Sequence, residues 1–441
     1  MDTLYKIMNI RRGEFAALGW AFGYFFCVLS SYYILRPIRD EMGIQGGVEN
    51  LQWLFTATFI VMLMAVPLFG TAVARLPRDR LIPAVYLFFI VTIYLFFVFL
   101  HFEVGMSWAA RAFFVWISVF NLFVVSIFWS FMVDVFSNEQ AKRLFGVIAA
   151  GGSAGAIAGP ALTVTLINWV GLANLLLVSI VFLCGALVCV ARLAAWRRHA
   201  AKTDDGPRNS GKAAPIGGQA LAGLVHAFRV PYLRGIAVYI VLYTAVSTFL
   251  YFTQANVVRD AFAEPEQRTT FFASIDLIVN GLTVLVQLFF TGRIVTRLGM
   301  AVALTTLPLL MMVGLLVLGS SPVLAVLALV QVTRRVVNYA LTRPAREVLY
   351  TVVVPEDKYK TKNVTDTLVY RGGDALSAWL YAGLAAVGLS IGNILIAALP
   401  IALTWMISGW WLARRHDSMA STATVDDAEP ITERQNRDSP L

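Results

Sequence analysis

Apolar residues run in blocks of about 20, the length a helix needs to cross a ~30 Å hydrocarbon layer, and polar residues gather in the gaps between blocks. Twelve blocks predict twelve helices, near 14–36, 51–74, 80–101, 107–133, 142–167, 171–192, 232–258, 270–292, 299–319, 322–343, 362–388 and 391–413. One gap is long. It reads RRHAAKTDDGPRNSGKAAPIGGQ over residues 197–219, and its glycine, proline and charge predict a flexible linker. After Arg415 the tail DSMASTATVDDAEPITERQNRDSPL is polar and predicted to be disordered. The pattern therefore divides the chain into a six-helix bundle over 1–192, a linker over 193–231, a second six-helix bundle over 232–413 and a tail over 414–441.

Composition supports that division. Of 441 residues, 59% are hydrophobic and 14% charged, with a mean hydropathy of +0.72, which excludes a soluble domain and predicts an all-α integral membrane protein. Cys27, Cys184 and Cys189 sit inside apolar blocks without metal-ligand spacing and read as small buried hydrophobes. The first block carries no small-residue cleavage site, so it is expected to be retained as a helix and not removed as a signal. The net charge of +9 is explained by topology and calls for no nucleic-acid polymer. With alternate gaps assigned to the two sides, the side holding the termini carries 27 Lys and Arg and the other side four, Arg36, Arg39, Arg259 and Arg268. The positive-inside rule then places both termini in the cytoplasm, in a multi-pass protein of a bacterial cytoplasmic (inner) membrane.

Six helices, a long cytoplasmic linker and six more resemble the major facilitator fold. Weak similarity between the halves agrees. ILRPIRDEM ends the first helix and QANVVRDAF the seventh, and without gaps Arg39-Asp40 falls on Arg259-Asp260. SNEQAK (137–142) and PEDKYK (355–360) both lead to a Gly-Gly, at 151–152 and 372–373, although that match needs a gap. The third, sixth, ninth and twelfth blocks have no internal charge, as lipid-facing helices should. Charge collects instead in or at the ends of the first, fourth, seventh, eighth, tenth and eleventh blocks, including Arg111 and Asp134.

Arg334 and Arg335 lie halfway along their block, and Arg371 lies about nine residues into its own, roughly 14 Å deep at ~1.5 Å per residue. These three form the predicted mid-membrane cationic site, with Arg36, Arg39 and Arg259 at its outer mouth. Guanidinium forks suit phosphate and carboxylate oxygens, so an anionic solute is expected. Three alternatives stay open. Arg371 and Asp374, at i and i+3, pair with each other or bind solute. The pairs Arg39-Asp40 and Arg259-Asp260 bind solute or form gates. Asp276 either titrates and carries protons or pairs with a neighbouring arginine. Gly146, Gly155, Gly159 and Pro160 give the spacing G-x8-G-x3-G-P, which serves close helix packing and a bend and is similar to a motif of facilitator antiporters, without its trailing glycines. GTAVARLPRDR (70–80) resembles the facilitator loop between the second and third helices, with Ala74 in place of the acid.

The four histidines, His101, His199, His226 and His416, have no metal-ligand spacing, no nucleophile–base pair stands out and no phosphate-binding loop is present. A carrier without catalytic residues, metal or cofactor is therefore expected, and not an enzyme or a primary pump.

Three stretches, YYILRPIRDEMG (32–43), FWSFMVDVFSNEQAKRLFGVIAAGGSAGAIAGP (128–160) and YKTKNVTDTLVYRGGDALSAW (359–379), resemble the bacterial branch of the ATP:ADP antiporter family. The resemblance implies exchange of nucleoside phosphates, with Arg36, Arg39, Lys142, Arg143, Lys362 and Arg371 as basic positions and Asp366 and Asp374 beside them. Tyr32, Tyr33, Trp129 and Tyr370 stack on a base or pack the interior. The reading is a monomeric secondary carrier with alternating access, whose partners are the bilayer and a small anionic solute such as a nucleotide. The alternatives are a proton-coupled carrier of another solute and a non-transporting sensor or assembly factor on the same scaffold.

Overall fold

The computed structural model describes residues 14–75, 78–203, 230–353, 362 and 364–428, and among them every regular element is helical. Most of the expected linker and the last residues of the tail lie outside them. By density of contacts the chain forms two compact units, Met1–Gly218 with Tyr251–Leu282, and Gln219–Leu250 with Thr283–Leu441. The boundary between units runs through two helices.

In the first unit, α1 spans Phe15–Gln45, longer than the sequence pattern predicts. The first block was expected to end at 36, next to Pro37, and the helix runs through that proline. Proline removes one backbone donor, and an apolar segment has more to lose by unwinding, because every freed carbonyl would need another partner. The helix ends where Gly47 takes a left-handed φ of 94°. There Arg111 Nε donates to Gly46 O at 2.9 Å, satisfying a carbonyl the helix end leaves open.

A short 3-10 turn, Val48–Asn50, leads to α2 (Leu51–Arg75) and then α3 (Arg78–His101). The α3 helix shows why these elements suit lipid. Tyr86, Phe89 and Ile93 are buried on one face, while Leu87, Phe88, Val91, Tyr94 and Leu95 are exposed on the other. An apolar face that the protein leaves uncovered is covered by hydrocarbon. The α4 helix (Met106–Val135) starts after Gly105, also left-handed. The continuous helical segment Asn138–Thr203, α5, is broken at Gly171 (φ 78°, ψ 165°) into two arms. Both the α3 and α4 helices pack with α1 and α5 around an aromatic core in which Phe25 stacks on Phe128 at 4.0 Å and the Tyr24 and Tyr86 hydroxyls are hydrogen-bonded at 2.7 Å.

The helices α6 (Pro231–Ala261) and α7 (Pro265–Val286) each contribute to both units. In the second unit follow a π turn (Gln287–Thr291), α8 (Gly292–Ser320, broken at Gly299), α9 (Leu324–Val337), a second π turn (Asn338–Thr342) and α10 (Arg343–Val348). A third π turn (Thr365–Val369) opens α11 (Tyr370–Ala386), followed by α12 (Ile391–Ala397) and α13 (Leu399–Ala428). Side chains join the first two π turns: Gln287 Nε2 donates to Tyr339 O at 3.1 Å and Thr291 Oγ1 to Ala340 O at 2.7 Å. Those are carbonyls that π geometry takes out of the regular ladder.

Among the described residues, ten helical spans are long and apolar enough to cross a membrane. Two boundaries differ from expectation. The α5 helix continues to Thr203, into the expected linker, and α13 continues to Ala428, into the stretch expected to be disordered from 414. Neither extension contains glycine or proline, so nothing in them stops a helix already started.

Candidate functional site

In the first unit the end of α1 is bound to residues 251–282 by charge. Arg36 pairs with Asp276 at 3.2 Å, and Asp276 is almost fully buried. Arg39 pairs with its neighbour Asp40 at 3.1 Å, which also accepts from the Tyr251 hydroxyl at 3.1 Å. The Arg39 guanidinium lies 4.1 Å from the Phe114 ring centre and 5.7 Å from that of Tyr251, so its charge is shared with aromatic faces.

At the next residue, Glu41 has no exposure and takes a bidentate pair from Arg268, at 2.7 and 2.8 Å. The third Arg268 nitrogen, Nη1, donates to the carbonyls of Phe262 and Ala263, each at 2.9 Å. Burying two charges is tolerated when every donor and acceptor is matched, and this pair meets that condition. By contrast Arg259 and Asp260, the sequence counterparts of Arg39 and Asp40, pair with each other at 3.0 Å at an exposed position.

In the second unit α6 brings two helices together. At Gly373 a side chain would collide with Thr244, so α11 approaches α6 closely there. The next residue, Asp374, accepts from Thr248 at 3.3 Å, one turn along α6 from Thr244. Arg371 lies 3.6 Å from Asp374, an ion pair beyond hydrogen-bonding distance, and keeps 29% of its side-chain surface exposed. On the α9 side Arg334 is half-buried. Its guanidinium is held at 2.9 and 3.1 Å by Gln331 Oε1 and at 2.9 Å by Ser247 Oγ, the residue before Thr248. Gln331 is fixed in turn by the Leu250 carbonyl at 3.3 Å. Arg335 is buried beside it. The partners of Arg334 are neutral, so among these described residues a cation midway along the Leu324–Val348 span is oriented without being neutralised.

The remaining expected residues lie at helix starts. Arg143 pairs with Glu14 at 2.9 Å and Gln140 donates to the same carboxylate at 3.0 Å, while Lys142 is exposed. Ser137 and Gln140 cap α5 reciprocally, at 3.0 and 3.3 Å. Lys362 pairs with Glu347 at 2.5 Å and Arg346 with Asp366 at 3.7 Å. Of the glycines, Gly155 and Gly159 press on the α1 backbone at Phe26, Ser30 and Tyr33, where a methyl group has no room. Gly146 differs from the packing role expected of it, since a methyl there meets nothing within 4 Å; the tight run begins instead at Gly151. Pro160, next to Gly159, is buried inside α5.

Sequence reasoning missed Glu41, Arg268, Tyr251, Ser247, Thr248 and Gln331. For Glu41 a signal existed. Ile34, Ile38 and Glu41 are spaced i, i+4, i+7 and are all fully buried, a spacing visible only if the helix is read through Pro37.

The model of the Major Facilitator Superfamily matches residues 15–361 of this chain. ADP,ATP carrier protein 1 of Chlamydia trachomatis serovar D is 23% identical over 344 residues, which cover 68% of this chain and 64% of that carrier. ADP,ATP carrier protein 1 of Chlamydia muridarum is 22% identical over 376 residues, covering 76% and 70%. The chain thus spans less than two thirds of the first of these relatives. Among solved structures, a bacterial homologue of the iron transporter ferroportin, in an inward-facing state, superposes with a TM-score of 0.63 at 14% identity, covering 91% of this chain and 98% of the other. The POT family transporter PepTSo gives 0.61 at 14% identity, and the nucleoside transporter NupG 0.60 at 12%, each with the same coverage.

Proposed function

The chain belongs to the Major Facilitator Superfamily, and from that premise we propose that it is a secondary carrier with alternating access that exchanges a phosphate-bearing anion, a nucleotide of the ATP and ADP kind. The observation that carries this reading is the guanidinium of Arg334, half-buried midway along the Leu324–Val348 span and held, among the described residues, by the neutral groups of Gln331 and Ser247. A cation oriented by neutral groups in a low-dielectric setting attracts an anion and supplies donors to its oxygens. Arg371, loosely engaged and partly exposed, supplies a second fork. The names of the Chlamydia relatives support a nucleotide over other anions.

The same reading takes the chain as twelve spans in two six-helix bundles. Counting the two arms of α5 separately and adding α11 with its π turn raises the ten apolar spans to twelve. It sets both termini in the cytoplasm of a bacterial inner membrane, on the strength of the charge asymmetry. Arg36, Arg39, Asp40, Glu41, Arg268 and Asp276 then hold the end of α1 opposite the cytoplasm and act as a gate. Counter-exchange tests the function: proteoliposomes loaded with ADP are expected to take up external labelled ATP whether or not a proton gradient is imposed. Uptake that requires the gradient and ignores internal nucleotide would replace this reading with a proton-coupled carrier.

A further inference from the structure

Three arginines of this chain are held in three ways. Arg268 is fixed, with a bidentate carboxylate and two backbone carbonyls. Arg334 has neutral partners. Arg371 is intermediate: its carboxylate, Asp374, stands 3.6 Å away and is at the same time held by the Thr248 hydroxyl at 3.3 Å. Asp374 is buried in α11, close against α6 because Gly373 permits it, whereas Arg371 retains access to water.

A carboxylate that already accepts from a hydroxyl can give up a guanidinium beyond hydrogen-bonding distance at low cost. We infer that Asp374 is a built-in competitor for Arg371: in the empty site it neutralises the guanidinium, and an arriving phosphate displaces it onto Thr248. This rests on the anion-exchange reading and adds what governs the site when no solute is bound. Two consequences follow from charge alone. Asp374 weakens anion binding, because the anion must first replace it. It also lowers the net charge of the empty site, so the unloaded carrier can change sides without moving a bare extra cation through a low-dielectric interior. Asp374 is therefore a positioning residue that sets the ratio of net uptake to exchange.

The closing experiment has a chemical arm and a transport arm. Phenylglyoxal modifies guanidinium groups, and mass spectrometry of the Arg371 peptide reads its rate in the purified full chain, with exposed Arg259 as the internal standard. Asp374→Asn is expected to raise the Arg371 rate about threefold or more, and Thr248→Val to lower it, since Asp374 then loses the hydroxyl that competes with Arg371 for it. In the transport arm Asp374→Asn is expected to bind ATP about fivefold more tightly and to lose net uptake into empty vesicles by a similar factor relative to ADP-loaded ones. Thr248→Val is expected to bind ATP more weakly. An unchanged Arg371 rate in Asp374→Asn overturns the inference even if nucleotide exchange is found. If Asp374→Asn does not fold, an unchanged rate in Thr248→Val overturns it instead. Altered labelling in a protein that exchanges no nucleotide sustains the inference for the empty site and removes the nucleotide reading.

Discussion

An arginine's surroundings in this chain say more about its task than its position in a motif does. Arg39-Asp40 and Arg259-Asp260 align without a gap, yet the first pair is stacked on aromatic rings and the second is exposed. Buried and fully matched, Glu41 and Arg268 stand or fall together. Glu41→Gln is expected to lower stability by about 3 kcal/mol, because the change leaves a buried guanidinium without its counter-charge. Arg259→Gln should change it by less than about 0.5 kcal/mol, as exposed pairs do. Thermal unfolding in detergent compares the two, and equal shifts would refute the distinction. Arg371→Ala, on a side chain with 29% exposure, is expected to abolish exchange while the unfolding temperature stays near that of the parent. A variant that still transports would exclude Arg371 from the site. The sequence pointed to Arg334, Arg371 and Asp374 because charge inside an apolar block is conspicuous. It was silent on Ser247, Thr248 and Gln331, since neutral polar residues are common in such blocks and only tertiary contact singles them out.

Helices were legible because their apolar lengths are set by the bilayer, whereas several of their ends and the π turns were not. The run through Pro37 went unseen because proline signals a stop in water more strongly than in lipid. Gly171 breaks α5 with a left-handed φ where the fifth and sixth blocks were expected to meet, although the sequence around it (NWVGLAN) has no charge to mark a boundary. The glycine motif of α5 was legible as a motif, but only the structure separates its members. Gly155→Leu would drive a side chain into the Phe26 carbonyl and Ser30 of α1 and is expected to cost ~3 kcal/mol or prevent folding. Gly146→Ala, facing open space, should be neutral to slightly stabilising by helix propensity. Yield and melting temperature of the two variants decide the point, and an unharmed Gly155→Leu would refute the close approach of α1 and α5.

For the whole molecule, charge asymmetry makes the firmest forecast available from sequence. In a background without Cys27, Cys184 and Cys189, Glu103→Cys is expected to react with a membrane-impermeant maleimide on intact cells, and Asp205→Cys only after the membrane is opened. The reverse pattern would invert the topology. The compact units were not legible, because the side chains that gather residues 251–282 into the first unit, Tyr251, Arg268, Asp276 and Asn280, act over more than a hundred positions of sequence. Among the described residues, the three π turns all lie in the second unit. Each holds one residue more than an α turn, which rotates everything beyond it by about 100° around the helix axis. A helical wheel drawn through α9 and α10 would therefore set Arg343 and Arg346 on the wrong side relative to Arg334. A residue-by-residue substitution scan of that stretch should show its rhythm of sensitive positions jump phase between 338 and 342, in the way a musical line shifts when a bar gains a beat.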